Sequence, residues 1–585
     1  MKELIVGIDL GTTNSVLAVS IEGQIKVIDI HGQPTMPSCV GLDSSGKLIV
    51  GQTAKNQLIA APDATILSIK RKMGEDTKVR LGDKEFSPEE ISSFILRELK
   101  QEGERQLGQP LRKAVITVPA FFNERQRKAT QIAGELAGWD VVRIINEPTA
   151  AALAYGANRT ADETMLVYDL GGGTFDVSVV VVEKGVVEVK ASHGDTHLGG
   201  DDFDDLLVAH AIAAFKARHG VDLAGDSKVQ RRLKVVLERA KCRLSDEPFV
   251  AVREEYLDGK HHLEMELDRR AYEALIEPFL EKTLTCIHQA LQDAKLIPKN
   301  LDKIMLVGGS TRTPLVHLLL QQRIEVEPRW EINPDLIVAM GAAIQGAVIA
   351  GETHHSILVD ITPHTFSTSS IGFFEDDERL ISVPIIPRNT PLPASKSEVF
   401  FTLTDHQAEV RVEATQGENP LAEQNTLIGA FMVEGLSKVP SGNPVVVHFD
   451  LDLNGMLKVT ATEKNTGLAK SVIMDTRGAH VLNLDQARRN IDSLLGPIDS
   501  ETVGTKQAES DGELEADAEP EEMLITAKDL RKRAETLIQK NVDLSDADEV
   551  RDLIHRSAEA IKNRDWNLLN KSNAALGDLL FYLED

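Results

Sequence analysis

The chain has 585 residues, too many for one compact core, so three or four folded units are expected. Its formal net charge of -27 argues against nucleic acid and anionic membrane surfaces as partners, since both require clustered Lys and Arg. Cys39, Cys242 and Cys286 are too few and too scattered for a disulfide framework or a zinc site, and no apolar run approaches the roughly 18 residues of a membrane span, so a cytoplasmic protein is expected.

From residue 1 to about 350, short apolar strands alternate with longer helical segments, which predicts α/β layers with helices packed on sheets. The first distinctive stretch is "IVGIDLGTTNSVLAV", an apolar run interrupted by Asp9, Leu10, Gly11, Thr12, Thr13 and Asn14. β-Branched residues favour strands and glycine weakens them, so the interruption reads as a tight turn between two strands. Further on, "SIKRK" supplies Lys70, Arg71 and Lys72, among which composition does not choose a phosphate ligand. Strands are expected at "AVITVPA" and "VVRIIN", the latter running into "IINEPTAAALAYG", where Pro148 suits a first helical turn and Glu147 lies beside the helix N-terminus.

The stretch "VYDLGGGTFDVSVVVV" then repeats the device: Gly171, Gly172 and Gly173 interrupt a strand run beside Asp169, Thr174 and Asp176. Two copies predict two related halves. In "LERAKCRLS", Glu238, Lys241 and Ser245 fall on one helical face, able to bond a ribose and a purine edge; the same spacing also describes a surface Glu-Lys pair. "KIMLVGGSTRTPLVHLLL" reads as a strand, a glycine pair and a helix start, so N–H groups near Gly308, Gly309 and Ser310 can meet a ligand while Arg312 stacks on a base.

Glycine-rich turns let backbone N–H groups converge on an anion. Two facing turns can hold a chain of phosphates from both sides, with Asp9 and Asp169 placed for magnesium, which prefers carboxylate, water and phosphate oxygens. Either turn alone is better explained as a hairpin or a flexible turn; the duplication reverses that preference in favour of the nucleotide. No G-x-x-x-x-G-K-[ST] or G-x-G-x-x-G occurs.

From about 363 the period changes to two. Val399, Phe401 and Leu403 alternate, as do Val410 and Val412, then Val445, Val447, Phe449 and Leu451, and Asn454-Gly455 precedes Leu457, Val459 and Ala461 as a two-residue hairpin signal. This predicts an all-β module. Beyond about 480 helical spacing takes over, with a small bundle expected over 524–539 and 545–583 and a capping box at Ser545 and Asp548. Residues 507–523 carry eight carboxylates and no base, which predicts a solvated, flexible segment.

Taken together, "GIDLGTTNS", "ITVPAFFNERQR", "RIINEPTAAALAYG", "YDLGGGTFD", "GDTHLGGDDFD", "LVGGSTR" and "NPDLIVAMGAAIQG" resemble the ATPase domain of heat-shock-70 (DnaK-like) chaperones, most similar to the HscC-like branch. The resemblance continues through the β module and helices. It implies an actin-like two-lobed nucleotide-binding domain over 1–354, an interdomain linker over 355–362, a β-sandwich substrate module over 363–478 and an α-helical lid over 479–585. ATP or ADP would lie in the cleft with Mg2+, K+ being a further candidate ion. Gly11, Thr12, Thr13 and Asn14 would meet the phosphates with Gly171, Gly172 and Gly173, Asp9 and Asp169 the magnesium shell, and Glu147 its waters. Lys70 would orient the attacking water near Thr174 and Asp176, as phosphoryl transfer requires. Glu238, Lys241, Ser245, Gly308, Gly309, Ser310, Arg312 and Asp335 match the adenosine side.

The resemblance also implies a relay through Pro119 and Arg127 to the linker, with Ile357, Leu358 and Asp360, and a peptide pocket of Ile371, Phe400, Leu403, Val410 and Val412. From periodicity alone these five read as sandwich core. Unfolded client polypeptides and a J-domain cochaperone are the implied partners. Departures accompany the matches: Ser367 and Thr368 replace a glycine and an apolar residue, about seven extra residues surround "FEDDERLIS", and Ser441 stands where the family places the arginine that latches Asp405. A stretch of long members is missing between Gly74 and Glu89, so the usual exchange factor is not expected to bind. The rival readings are an actin-fold small-molecule kinase, which the β module and helices oppose, and a nucleotide-regulated scaffold without turnover, which Lys70, Asp9, Thr174 and Asp169 oppose.

Overall fold

The computed structural model describes residues 3–156, 162–352, 357–375, 377–474, 483–495 and 544–563, with Ala527, Leu530, Ala534, Leu569 and Ser572 besides. Its contacts divide the chain into two units, Met1–Ile498 and Asp499–Asp585.

Alternating runs of valine, isoleucine and leucine build two six-stranded sheets of the same plan in the first unit. In the first, Ile5–Leu10 pairs antiparallel with Asn14–Ile21, which pairs with Gln24–Ile28; on its other side Ile5–Leu10 runs parallel to Lys113–Val118, and that strand to Asp140–Asn146. The second repeats each step: Glu163–Leu170 with Phe175–Glu183 and then Val186–Asp195, and parallel to Lys303–Val307 and Pro328–Arg329. The two halves inferred from the duplicated turn are therefore also duplicates in strand order. Each sheet is covered by helices, among them Pro88–Leu107, whose Ser87–Glu90 capping box is formed, and the long helix Arg269–Asp293. Burying the sheet faces gives each lobe its own apolar core, and apolar burial is the main source of its stability.

Residues 357–362, read as a linker, divide their hydrogen bonds between neighbours. Ile357–Val359 adds a parallel strand to the edge of the second sheet beside Val186–Glu188, whereas Ile361–Thr362 pairs with Thr390–Pro391. The β module is two four-stranded antiparallel sheets face to face: Asp377–Ile386, Phe366–Phe374, Glu409–Gln416 and Thr426–Glu434 form one, and Ala394–Phe401, Pro444–Leu451, Leu457–Glu463 and Ala469–Ile473 the other. Burial alternates along Pro444–Leu451, with Val445, Val447, Phe449 and Leu451 inward as their period predicts.

Several expectations are corrected. The strand expected to include Leu403 ends at Phe401, leaving Leu403 in a loop. The Asn454-Gly455 hairpin is not a two-residue turn: Leu451 faces Leu457, and the carboxylate of Asp452 accepts from the N–H groups of Asn454 and Met456, stabilising a longer loop. Gly308–Gly309 does not open a helix directly, because one 3-10 turn, Gly309–Arg312, precedes the helix Pro314–Ile324. Ser545 lies inside the helix Leu544–Asn563 and so is not its N-cap. Between Gly74 and Glu89 the chain forms a short hairpin, Val79–Leu81 with Lys84–Phe86. The acidic segment and most of the expected C-terminal bundle lie outside the described residues.

The sandwich is seated against the lobes. Asp293, closing the long helix of lobe II, the lobe of the second sheet as lobe I is that of the first, accepts from Arg388 at 2.8 Å and Asn389 at 3.2 Å. Gln416 accepts from the N–H of Glu124 at 3.0 Å, and Asn454 from that of Ile144 at 3.2 Å. His364 meets the carbonyl of Phe121 at 2.9 Å, and the Phe121 ring lies between His364 and His193. The helix Leu484–Leu495 rests on lobe I: Ala487 and Ile491 join its core, and Asn490 donates to Glu90 at 2.8 Å.

Candidate functional site

The two glycine turns touch. A Cβ placed on Gly172 would sit 1.9 Å from the Thr13 hydroxyl, and one on Gly173 2.7 Å from the Thr12 methyl, so the residues at these tips are glycine because the opposing hairpin occupies the space. The second turn closes on itself through Gly171 N–H to Thr174 C=O, and the Ser310 hydroxyl donates to the Gly171 carbonyl at 2.8 Å.

Behind the tips opens a cleft of about 790 Å³. Asp9, Gly11, Thr12, Thr13, Asn14, Lys70 and Glu147 line its first side. Asp169, Gly171, Gly172, Thr174, Glu238, Lys241, Ser245, Gly308, Gly309, Ser310, Arg312 and Asp335 line the other. Gly173 and Asp176 do not. Asp176 stands one step behind the wall, its carboxylate accepting from the N–H groups of Ala120 and Phe121 at 3.2 and 3.0 Å.

Lys70, on the 3-10 turn Ile69–Lys72, is buried and ion-paired with Glu147, which begins the helix Glu147–Gly156, while Lys72 is exposed. The structure thereby separates the lysines that composition left equivalent. Burial, then repulsion from Glu147, pushes the Asp9 carboxyl up to about 7 and raises Asp169 as well, its other neighbours Asp176 and Asp9 adding to the effect. Asp9 and Asp169 beside the Glu147–Lys70 pair leave a negative excess that a hard divalent cation would relieve; among the described residues no three acidic, His or Cys side chains form a metal cage by themselves, so magnesium there would take water and phosphate oxygens for the rest of its shell.

On the side expected to face adenosine, Glu238 and Lys241 are not paired with each other. Glu238 accepts from Lys55 of the opposite lobe at 2.9 Å; Lys241 donates to the Gly200 carbonyl at 2.9 Å and lies 2.8 Å from Asp204. Arg312 is held by Asp335 at 2.7 Å. Sequence reasoning missed the contacts that draw the lobes together: Ser68 to Asp201 at 2.5 Å, Arg71 to Asp202 at 3.0 Å, Arg231 to Asp63 at 3.0 Å and the Lys55 pair. "SIKRK" and "GDTHLGGDDFD" contained half of these residues, but partners well over a hundred positions apart leave no local period.

Away from the cleft, a chain of hydrogen bonds leads to the linker. Arg127, buried, donates to the carbonyls of Ala120 at 3.2 Å and Phe122 at 3.3 Å and to the side chain of Asn146. Asn146 and Thr149 donate to Asp360 at 3.1 to 3.2 Å. Pro119 starts the turn that presents these groups, its carbonyl accepting from Phe122 N–H at 3.2 Å.

A second concavity, about 400 Å³, lies on the sandwich and is lined by all five predicted pocket residues, Ile371, Phe400, Leu403, Val410 and Val412. The core alternative was partly right: Val412 is buried and Val410 and Phe400 pack on the sandwich core, while Leu403 is 62% exposed. Thr368 contributes a hydroxyl already bonded to the Glu413 carbonyl at 2.7 Å. Asp405 bonds the backbone N–H of Ser441 at 2.8 Å.

A duplicated α/β fold enclosing this cleft and carrying a grooved β-sandwich is the architecture of a two-lobed ATPase with a β-rich domain. A family model described as Hsp70 protein matches residues 5–80 and 75–580. The chaperone protein DnaK of Thermotoga petrophila is 42% identical over 99% of this chain and 98% of its own length. That of Thermosipho melanesiensis is 46% identical over 84% of this chain and 83% of its own. The chain belongs to the Hsp70 family, and with that it is an ATP-dependent chaperone with ATPase activity; the kinase and inert-scaffold alternatives are not favoured. Among the described residues no helix is long and apolar enough to cross a membrane.

Proposed function

We propose that ATP, held between the two glycine turns, is hydrolysed by positioning and electrostatics around Lys70, and that its state sets the grip of the sandwich groove on an extended client polypeptide. What carries this reading is the direct contact of the two hairpins at the head of the cleft, because a ligand bound there necessarily touches both lobes. Backbone N–H groups of Thr12, Thr13 and Gly172 would cradle the phosphates. Asp9 and Asp169 would hold magnesium, which when bound neutralises developing phosphate charge. Lys70, fixed by Glu147, would orient the attacking water with Thr174, and Ser245, Arg312 and Asp335 would hold the adenosine.

Coupling would run from Asp176 through the Ala120–Phe122 turn, Arg127 and Asn146 to Asp360, so that movement of the second hairpin alters linker pairing. The groove would bind client backbone and one apolar side chain. The helix Leu484–Leu495 would begin the lid, latched less firmly where Asp405 meets only the Ser441 backbone. A J-domain protein would stimulate turnover, the usual exchange factor would not bind the shortened first lobe, and the same shortening supports an HscC-like placement. Measuring labelled-peptide affinity in ATP and in ADP tests the whole: weaker binding in ATP is expected, and equal affinity overturns it.

A further inference from the structure

The sandwich carries an apolar surface that its groove does not use. In the hairpin of Phe366–Phe374 with Asp377–Ile386, Ile371 stands opposite Leu380 and Phe373 opposite Glu378. Strand side chains alternate between faces, so Ile371, Phe373, Leu380 and Glu378 share one face. Ile371 and Leu380, 47% and 46% exposed, line the groove. Phe373 does not; it lies two residues on, about 6.6 Å along the strand, and is 79% exposed. The reverse face is closed by the hairpin itself, since Ile381 leans over Gly372 so closely that an added Cβ would lie 2.4 Å from its Cδ1. The strip therefore runs outward from the groove and ends at Glu375, Asp377 and Glu378, three exposed carboxylates answered locally by one guanidinium, Arg379.

An exposed phenylalanine beside an apolar strip marks an interaction surface. A second copy of this chain is a poor occupant, because a net charge of -27 repels its like and the strip is rimmed with acid. Continuity with the groove and the sign of the rim both fit a client segment. We propose that this hairpin is an accessory client subsite: a polypeptide anchored in the groove by one apolar side chain continues along the strip, lays an aromatic side chain on Phe373, and places a Lys or Arg against Glu378. The subsite rests on the chaperone reading above and extends it to the sequence beside the anchored residue.

The test uses the full chain in ADP and three fluorescein-labelled nonapeptides with a central Leu, read by anisotropy. One has Ser flanks, one has Phe two positions from the Leu on each side, and one adds Lys beyond each Phe. The Phe peptide is expected to bind about three- to tenfold more tightly than the Ser peptide, and the Lys peptide more tightly again at low salt only. Phe373→Ser should erase the Phe gain while leaving the Ser peptide within about twofold, Phe373→Tyr should keep it, and Glu378→Gln should reduce the Lys gain alone. Equal weakening of all three peptides by Phe373→Ser, no Phe gain in the parent protein, or a dimer in sedimentation that Phe373→Ser dissolves would each overturn the subsite. Equal affinity of the Ser peptide in ATP and ADP instead overturns the chaperone reading beneath it.

Discussion

The nucleotide cleft and the client groove solve opposite problems. In the cleft, buried charges are brought together and must be satisfied: Lys70 is matched by Glu147, Asp176 by two backbone N–H groups, and Asp9 accepts from Thr117 at 3.1 Å. In the groove, apolar side chains continuous with the sandwich core are left partly uncovered. Removing one partner from a buried charged cluster strands the other, whereas trimming one wall of an open groove subtracts contact area. Substitutions should therefore be costly and specific in the first region, graded and tolerant in the second.

The largest expected effect is from Lys70→Ala, which should lower single-turnover hydrolysis by roughly 10²- to 10³-fold while calorimetry still records ATP binding. Turnover near the parent rate would remove Lys70 from its assigned role. Next comes Gly172→Val, whose side chain collides with Thr13; ATP affinity should fall by at least about tenfold, with the thermal midpoint little changed because the tip is not core. Asp360→Ala should leave basal hydrolysis in place but collapse the ratio of peptide affinities in ADP and ATP, which an allosteric coupling of ordinary size puts at about 5- to 150-fold, towards one.

A subtler effect is expected from pH. Burial, with Arg127 and His193 nearby, holds the His364 imidazole below its ordinary range, outweighing the Phe121 carbonyl that favours protonation; burial does the same for His193, with Arg388 adding to it. A base whose pKa is depressed on docking contributes fully above its free value, and that contribution is lost as pH falls through the depressed one. Seating of the sandwich on the lobes should thus weaken below about pH 6.5. Interdomain fluorescence transfer in ATP would follow it, and a profile unchanged by His364→Leu would refute the assignment. The smallest effects separate two groove residues. Leu403→Ser should weaken peptide binding about two- to fourfold without altering stability, whereas Val412→Ala should cost about 1 to 2 kcal/mol of sandwich stability, because Val412 is also core.

How much of this was legible in the chain follows from the range of each interaction. The duplicated Asp-Leu-Gly turns, the strand periods and the helix at Glu147 are local patterns, and they led to the correct duplicated sheets. The groove residues were named only through resemblance, since period two describes inward and outward faces alike. What the sequence concealed is long-range or polar: the Lys55–Glu238 and Arg71–Asp202 bridges, the Asp293 clasp on Arg388, and the Asp452 side chain that turned an expected tight hairpin into a longer loop. None of these follows from hydrophobic periodicity, and each depends on geometry created by the fold.

The strand Ile357–Val359 carries one more implication. While seated it caps the outer rim of the second sheet, so the amides and carbonyls of Val186–Glu188 on that side have partners. Once it departs, a ladder of unmet donors and acceptors is left in solution, an adhesive seam of the kind proteins seldom leave bare for long. A conformation from which this strand has departed is then more prone to self-adhesion, and deuterium uptake at those few amides gives a direct clock for how long each molecule stays in it.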